Sequence, residues 1–211
     1  MTETGTGVRI GQIADQLSAL ARNGLHYATN EYDTGRYRTI LTLAIELLSF
    51  VDTRDAEAIE RLLTDGVGLR TPLIGADAAT FDAEGRLLVA RRADTGLWCI
   101  PGGATEVGES ASAAAEREAW EETGLRVRAT RLLALYDNRL FTIPSPETHM
   151  YHAVFQCELV GGQLTTSRET TELRWVDEAE AATLPKFRGH VDKVPMAFRL
   201  YHAPTAGAVF H

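Results

Sequence analysis

The stretch that decides the fold runs from Gly102 to Leu125 and reads GGATEVGESASAAAEREAWEETGL. Its second half predicts a helix over Ser110–Glu122, closed by Gly124, because glycine commonly follows a helix C-terminus. The glycine pair at the start, Gly102-Gly103, predicts a tight turn with an exposed backbone carbonyl. The stretch therefore predicts a turn followed by a short, well-bounded helix.

Three acidic side chains of this helix share one face, since at about 100° per residue they lie within roughly 100° of each other on the helical wheel. They are Glu118, Glu121 and Glu122. Like charges at these spacings destabilise a bare helix, and we place no basic residue on the face, because Arg117 is expected to point away and pair with Glu109. A hard divalent cation with oxygen ligands would relieve the repulsion. The competing interpretation is a solvated acidic helix.

From Gly103 to Leu125 the chain resembles the Nudix box, G-x5-E-x7-R-E-U-x-E-E-x-G-U, where U is an apolar residue. The resemblance implies an α/β/α sandwich with a mixed sheet, and hydrolysis of a diphosphate bond with Mg²⁺ or Mn²⁺ as cofactor. It implies these metal ligands: the carboxylates of Glu118, Glu121 and Glu122 and the carbonyl of Gly102. It also implies that Glu109 and Arg117 form a supporting pair.

The rest of the chain resembles a Nudix subgroup that carries a helical N-terminal segment. The matching residues are Gly24-Leu25-His26-Tyr27, Tyr32-Asp33, Thr71-Pro72, Tyr136-Asp137 and His149-Met150-Tyr151. The subgroup hydrolyses nucleoside diphosphates linked to a moiety X. The resemblance thus implies ADP-ribose-like or CDP-alcohol-like substrates, split into a nucleoside monophosphate and phosphorylated X. Leu73 stands where the resemblance leads us to expect a lysine, so a phosphate contact from that position is absent.

Apolar spacing predicts a helical domain over residues 1–66, and the resemblance to the Nudix box implies a Nudix domain over 67–211. In the first domain, a helix is expected to stop at Asn23-Gly24, Asp33 to cap a second helix, and a third to span Asp55–Leu63. The apolar stripe of the second helix must be covered, since about 65 residues bury little on their own. We therefore expect a homodimer involving these helices.

Residues 67–211 mix strand and helix signals without regular alternation, which predicts an α/β sandwich with a mixed sheet. Leu73–Phe81 and Arg86–Arg92 are expected to form a β-hairpin around the turn at Asp82–Gly85. Further strands are expected at Leu97–Ile100, Leu132–Asp137, His149–Leu159 and Leu173–Val176, and a final helix at Val191–Tyr201.

In-line attack of water on one phosphorus needs a carboxylate general base. We favour a box residue, Glu121 or Glu122; the alternative is Glu169, in a polar loop over residues 165–171 that is positioned to fold over the site. Two other functions stay open: hydrolysis of nucleoside triphosphates, and nucleotide binding by a catalytically silent module. A protein-interaction domain with a merely solvated acidic helix is a further alternative.

Substrate contacts are weakly encoded. Aromatic side chains on strands stack on bases in some sites but are more often core. The tentative contacts are Arg91, Tyr136, Asp137, His149 and Tyr151. His149 and His152 lie three residues apart, so on a strand they would point to opposite faces, which disfavours a histidine metal site.

The chain has 211 residues and a formal net charge of −8. This charge disfavours nucleic-acid backbone and anionic membranes as partners, so we expect a small-molecule nucleotide partner. Cys99 and Cys157 are expected to be free thiols. The first residues lack a signal-peptide pattern and Leu41–Val51 is too short to span a bilayer, which predicts a cytoplasmic protein.

Overall fold

The structure is a computed structural model that describes residues 3–52, 57–59, 61, 71–106, 108–143 and 149–210. The chain divides into two compact units, Met1–Pro72 with Ser145–His149 and Leu73–Pro144 with Met150–His211. The boundary predicted at residue 66 falls within 62–70, outside the described residues.

Two long helices, α1 (Glu3–Tyr27) and α2 (Glu31–Ser49), make up most of the described part of the first unit. They pack together around small and aliphatic side chains, with Ala14, Ala44, Leu48 and Ile59 buried at the centre. Residues 57–59 and 61 are also helical. The remainder of the predicted third helix, Asp55–Leu63, lies outside the described residues.

The predicted ends of α1 and α2 were wrong. Helix α1 continues through Gly24, where a β-carbon would lie 2.2 Å from the Tyr37 ring, so this glycine allows close contact between the helices rather than ending one. The N-cap of α2 is Asn30, whose side chain accepts a hydrogen bond from the backbone N–H of Asp33 at 2.9 Å. Asp33 is therefore inside the first turn of the helix.

Eight strands of the second unit form two sheets. They are β1 (Leu73–Thr80), β2 (Leu87–Arg92), β3 (Trp98–Cys99), β4 (Gly102–Ala104), β5 (Leu125–Asp137), β6 (Met150–Gly162), β7 (Thr170–Val176) and β8 (Val209–Phe210). One sheet has the order β4-β1-β6-β5-β8 and is mixed, since β1 is parallel to β6 and β5 to β8. The other has the order β3-β2-β7 and is antiparallel.

Helices cover both sides of this arrangement. They are α3 (Ala111–Thr123), α4 (Glu178–Thr183) and α5 (His190–Tyr201), and a 3₁₀ turn follows β5 at Asn138–Leu140. Alanines of α3 are buried with Ala76 and Ala78 of β1, whereas apolar residues of α5 join the larger core between the sheets. The predicted α/β/α sandwich with a mixed sheet is confirmed.

The predicted hairpin was wrong, because β1 and β2 belong to different sheets and share only the bridge between Phe81 and Leu87. From Gly75 onward β1 is buried on both faces and has partners on both edges, β4 and β6. The turn itself forms, and the Asp82 carboxylate accepts from the backbone N–H groups of Glu84 and Arg86. A correct local turn thus joins strands whose partners lie far away in sequence.

Both cysteines, Cys99 and Cys157, are free thiols, as predicted, and both are buried. Burial raises the pKa of each thiol to about 12. The two side chains therefore act as small apolar core residues rather than as nucleophiles.

Candidate active site

Helix α3 has a defined cap at each end, and its closing glycine is Gly124, as predicted. The Ser110 side chain accepts from the backbone N–H of Ala113 at 3.2 Å, and Gly124, with φ 71°, donates its N–H to the Trp120 carbonyl. The face toward β1 carries alanines that are fully or almost fully buried, Ala114, Ala115 and Ala119. This packing holds the helix, and with it the box glutamates, close to the sheet on a well-supported backbone.

Glu122 is the most buried of the three box acids, with only 6% of its surface exposed. It accepts a hydrogen bond from the backbone N–H of Gly102 at 3.1 Å. Burial raises the pKa of Glu122 to about 8, and the nearby charges of Glu118 and Glu169 act in the same direction. A carboxylate in this setting is stabilised in its charged form by a cation.

The prediction of a tight turn at Gly102-Gly103 was wrong: the two glycines begin strand β4, which pairs with β1 and lies directly against the box acids. A β-carbon on Gly102 would lie 2.4 Å from the Ala76 carbonyl oxygen, and one on Gly103 would lie 2.5 Å from a carboxylate oxygen of Glu118. Only glycine fits at these two positions without a shift of the backbone or of Glu118. Strand β4 thus places the backbone of Gly102 beside Glu122 and that of Gly103 beside Glu118.

The orientation predicted for Arg117 was wrong, although its predicted pairing with Glu109 is present. Arg117 donates to Glu109 from Nη2 at 2.8 Å and from Nε at 3.2 Å. Its Nη1 also donates to Glu118 at 2.8 Å and to Glu121 at 3.0 Å. The guanidinium is a planar fork with five donors, so its end spans three carboxylates even though its Cβ lies off the acidic face. The face does have an offsetting positive charge.

The box acids line an open cleft of about 310 Å³ together with a polar loop. The lining residues are Glu118, Glu121, Glu122, Ser167, Arg168 and Glu169. The loop is anchored on both sides: Ala93 donates its N–H to the Glu169 carbonyl at 2.8 Å, and Thr165 donates to the Thr123 carbonyl at 2.9 Å. Both candidates for the general base, box and loop, therefore face one cleft.

The donor set of this cleft fits a hard divalent cation, because carboxylate and carbonyl oxygens are the ligands that Mg²⁺ and Mn²⁺ prefer. Glu121 is half-exposed and Glu118 mostly buried. Burial raises the pKa of Glu118, even though Arg117 opposes the rise. Over the described ranges no three His, Cys, Asp or Glu side chains already stand in a metal-binding arrangement. The fit therefore rests on donor chemistry and on the buried charge of Glu122.

Of the five tentative substrate contacts, Asp137 and Tyr151 are neighbours across β5 and β6, but within the described part of the chain none of the five lines the carboxylate cleft. Arg91 donates to the Gly96 carbonyl at 3.0 Å on the three-stranded sheet. Tyr136 is a core residue, and Asp137 is buried and accepts from the backbone and guanidinium of Arg139. Tyr151 is partly buried in β6.

The placement of His149 on a strand was wrong. Strand β6 begins at Met150, and His149 belongs to the first compact unit. The backbone N–H of His149 donates to the Asp15 carboxylate at 3.2 Å. The opposite-face argument for His149 and His152 therefore does not apply.

Residues that the sequence analysis missed lie beside the cleft. Arg92 follows Arg91 on β2, pairs with Asp94 at 2.6 Å, and its charge lowers the pKa of Glu122 against the larger effect of burial. Ser167 and Arg168 line the cleft with Glu169. The sequence held a signal for Arg92. Neighbouring residues on a strand face opposite sides, so Arg91 and Arg92 both had to be considered as candidates for the side that faces the site.

Comparison with known proteins agrees with this geometry. The family model of the NUDIX domain matches residues 71–197, and a model described as "UDP-X-like, N-terminal oligomerisation domain" matches residues 9–63. A putative ADP-ribose pyrophosphatase, YjhB of Bacillus subtilis, is 28% identical over 197 residues, covering 93% of this chain and 94% of the relative. A MutT-like protein of Streptomyces ambofaciens is 39% identical over 99 residues, covering 47% of this chain and 60% of the relative.

Among solved structures, the crystal structure of a UDP-X diphosphatase is 25% identical, with a TM-score of 0.59 and coverage of 100% of both chains. No helix within the described residues is long and apolar enough to cross a membrane. The domain match covers more than half of the chain and contains the capped helix, the glycines of β4 and the acids described above. This chain belongs to the Nudix family and is a Nudix pyrophosphohydrolase.

Proposed function

We propose that the enzyme hydrolyses the diphosphate bond of a nucleoside diphosphate linked to a moiety X, releasing a nucleoside monophosphate and phosphorylated X. The observation that carries the proposal is the single cleft lined by Glu118, Glu121, Glu122 and Glu169. The UDP-X diphosphatase structure that covers the whole chain, and the ADP-ribose pyrophosphatase relative, support the same substrate class. The base and the X group follow from neither.

The proposed metal ligands are the carboxylates of Glu118, Glu121 and Glu122 and the carbonyl of Gly102. When bound, Mg²⁺ or Mn²⁺ supplies electrostatic polarisation of the phosphoryl oxygens and a more acidic attacking water. The protein fixes the ligands: the Gly102 N–H orients Glu122, and Arg117 orients Glu118 and Glu121. Glu109 holds Arg117 in turn through two hydrogen bonds.

We assign the general base to a box glutamate, Glu121 or Glu122, rather than to Glu169. Both box residues project from a capped helix, whereas Glu169 projects from a loop. A base must hold its carboxylate within hydrogen-bond reach of the attacking water, and a helix fixes that position more closely. Replacing Glu169 with glutamine should therefore lower kcat less than replacing either box residue.

We also propose that the enzyme is a homodimer joined through its N-terminal helices. Large apolar side chains are exposed on α1 and α2, including Leu20 at 64% and Leu43 at 51%. Exposed apolar surface of this kind marks association sites, and residues 9–63 match an oligomerisation domain. Light scattering should give a dimer for the full chain. Leu20→Glu with Leu43→Glu should give a monomer; a monomeric wild-type chain would refute this interface.

The substrate class is tested with a panel of nucleotides in ¹⁸O-water, with Mg²⁺ or Mn²⁺ and products resolved by mass. We expect label in one of the two monophosphate products and no orthophosphate at the primary step, because the box places its acids at a diphosphate bridge. Faster hydrolysis of nucleoside triphosphates would instead establish the alternative activity. Nucleotide binding without turnover would establish a silent module.

A further inference from the structure

A buried polar cluster lies between β1 and α5. Ala76 and Ala78 of β1 pack with the alanines of α3, so by strand alternation Asp77 points to the opposite face of the sheet. There Nζ of Lys193, on α5, lies 2.7 Å from Oδ2 of Asp77. Only 3% of the surface of Asp77 and 1% of that of Lys193 are exposed. Lysine is almost never buried unless it is paired. This ion pair therefore belongs to the core beside the box.

Asp77 and Lys193 form a buried salt bridge. Burial alone would raise the pKa of Asp77, but the charge of Lys193 holds it well below its usual value. The ammonium also lies 5.7 Å from the centre of the Phe141 ring, within cation–π range. Burying two charges carries a desolvation free energy that apolar residues of similar size would not carry. Stability alone is therefore a weak reason for this pair.

The pair determines which nitrogen of His152 carries a proton. Lys193 Nζ lies 3.1 Å from Nδ1 of His152. An ammonium group only donates, so Nδ1 accepts and the ring proton is on Nε2. The second histidine of the cluster, His190, accepts at Nδ1 from the backbone N–H of Ile100 at 3.1 Å, and does not compete for Lys193.

His152 lies next to the start of the box. It is the register partner of Gly75. A β-carbon on Gly75 would lie 3.1 Å from the Gly103 carbonyl oxygen and 3.4 Å from Nδ1 of His152. Its side chain is 22% exposed, whereas Nδ1 faces the buried ion pair. The Phe141 ring lies 5.6 Å away, tilted against the imidazole. The ring edge that carries Nε2 therefore lies away from the buried ion pair.

We propose that His152 is a specificity-determining residue whose Nε2–H, fixed by the Asp77–Lys193 pair, donates to an acceptor oxygen on the nucleoside part of the substrate. This inference rests on the proposed function, because it requires the nucleoside to lie beside a diphosphate bound at the proposed metal site, which includes the Gly102 carbonyl. A fixed donor selects for a base carbonyl or a ribose hydroxyl oxygen, and a site built to form that bond rejects analogues that lack the acceptor.

The kinetic test compares His152→Asn, which ends near Nδ1, with His152→Gln, whose amide reaches the position of Nε2. His202→Asn, at an exposed histidine, is the control. On the preferred substrate, His152→Asn should raise KM about three- to tenfold, the value of one neutral hydrogen bond, and leave kcat within about twofold. His152→Gln should recover most of the loss.

Substrate analogues identify the acceptor. One series lacks single ribose hydroxyls, and the other lacks single base carbonyls. The analogue without the acceptor should raise KM for the wild-type enzyme but not for His152→Asn. Unchanged KM and unchanged analogue ratios in His152→Asn would overturn the inference. Equal losses in the Asn and Gln variants with a lowered unfolding midpoint would do the same, since that pattern shows a structural role. If the wild-type enzyme hydrolyses no X-linked nucleotide, the proposed function fails first and this inference with it.

A second measurement does not depend on activity. Long-range ¹H–¹⁵N spectra of the full-length protein report which ring nitrogen of each histidine is protonated. The signal lost in His152→Asn should have the pattern of an Nε2–H tautomer. A proton on Nδ1 of His152 would overturn the inference whatever the kinetics show.

Discussion

Replacing Glu122 with glutamine separates the effect of the buried charge on stability from its role in catalysis. Glutamine has nearly the same shape, and its carbonyl oxygen can still accept from the Gly102 N–H that Glu122 binds at 3.1 Å. The change removes only the charge. We therefore expect the metal-free protein to keep its fold and turnover to fall by at least about 10²-fold, since catalysis at such sites is mainly electrostatic.

The size of the effect on the free energy of unfolding follows from the pKa of Glu122, which burial raises from 4.5 to about 8. At 1.36 kcal/mol per pH unit the difference corresponds to roughly 4–5 kcal/mol against the charged form in the fold. The folded state binds the proton more tightly than the unfolded state, so this group's contribution to stability is full below about pH 4.5 and is lost as pH rises toward 8. The Glu122→Gln variant has no ionisable group at this position, so it does not lose this contribution to stability as pH rises.

Denaturant unfolding with chelator at pH 6, 7 and 8 measures the difference. The free energy of unfolding of Glu122→Gln minus that of the wild type should increase with pH, whereas Glu158→Gln, at an exposed acid distant in sequence from the box, should show a constant difference. Added Mn²⁺ should then stabilise the wild type more than Glu122→Gln. Near-normal turnover in a well-folded Glu122→Gln would refute the metal placement, and a variant less stable than wild type at pH 8 would refute the burial argument.

Three further outcomes are expected. Glu121→Gln should lower kcat at least about 10²-fold while the unfolding midpoint stays within a few degrees, because Glu121 is half-exposed; unchanged kcat would count against Glu121 as a ligand or base. Gly102→Ala should lower both Mn²⁺ affinity and the thermal unfolding midpoint, since its β-carbon would lie 2.4 Å from the Ala76 carbonyl oxygen; calorimetry that finds both unchanged would show that the backbone yields there. A chain starting near Gly66 should aggregate or lose stability in light scattering and thermal unfolding, with weaker and less selective hydrolysis by any soluble fraction; a soluble monomer with unchanged selectivity would show that the helices take no part in the site.

The sequence predicted the parts of the site that are set by local interactions. Helix α3 begins at the Ser110 cap and ends before Gly124 because both caps act within four residues along the chain. The pairing of Glu109 with Arg117 spans only eight positions. The predicted hairpin failed for the opposite reason: β1 finds its partners at β4 and β6, and a turn signal at Asp82 says nothing about either.

Two misjudgements concern side chains rather than elements. A helical wheel locates the Cβ of Arg117, but the guanidinium lies several bonds further out and reaches Glu118 and Glu121. Tyr136 has the chemistry of a base-stacking residue, yet it packs at 5.5 Å from Phe141 within the core. Residue type alone did not separate the two roles, because the role depends on which face of β5 the core covers.

The Asp77–Lys193 pair shows where a single sequence stops being informative. A charged residue inside the strand LIGADAAT and a lysine inside the mostly apolar helix HVDKVPMAFRLY each look like local exceptions. Each explains the other only when the fold brings together positions 116 residues apart. Because a buried charge without a partner is strongly disfavoured, two such exceptions in one domain predict each other. The sequence alone does not say which exceptions pair, whereas the fold does, because it joins α5 to β1 through Asp77 and Lys193.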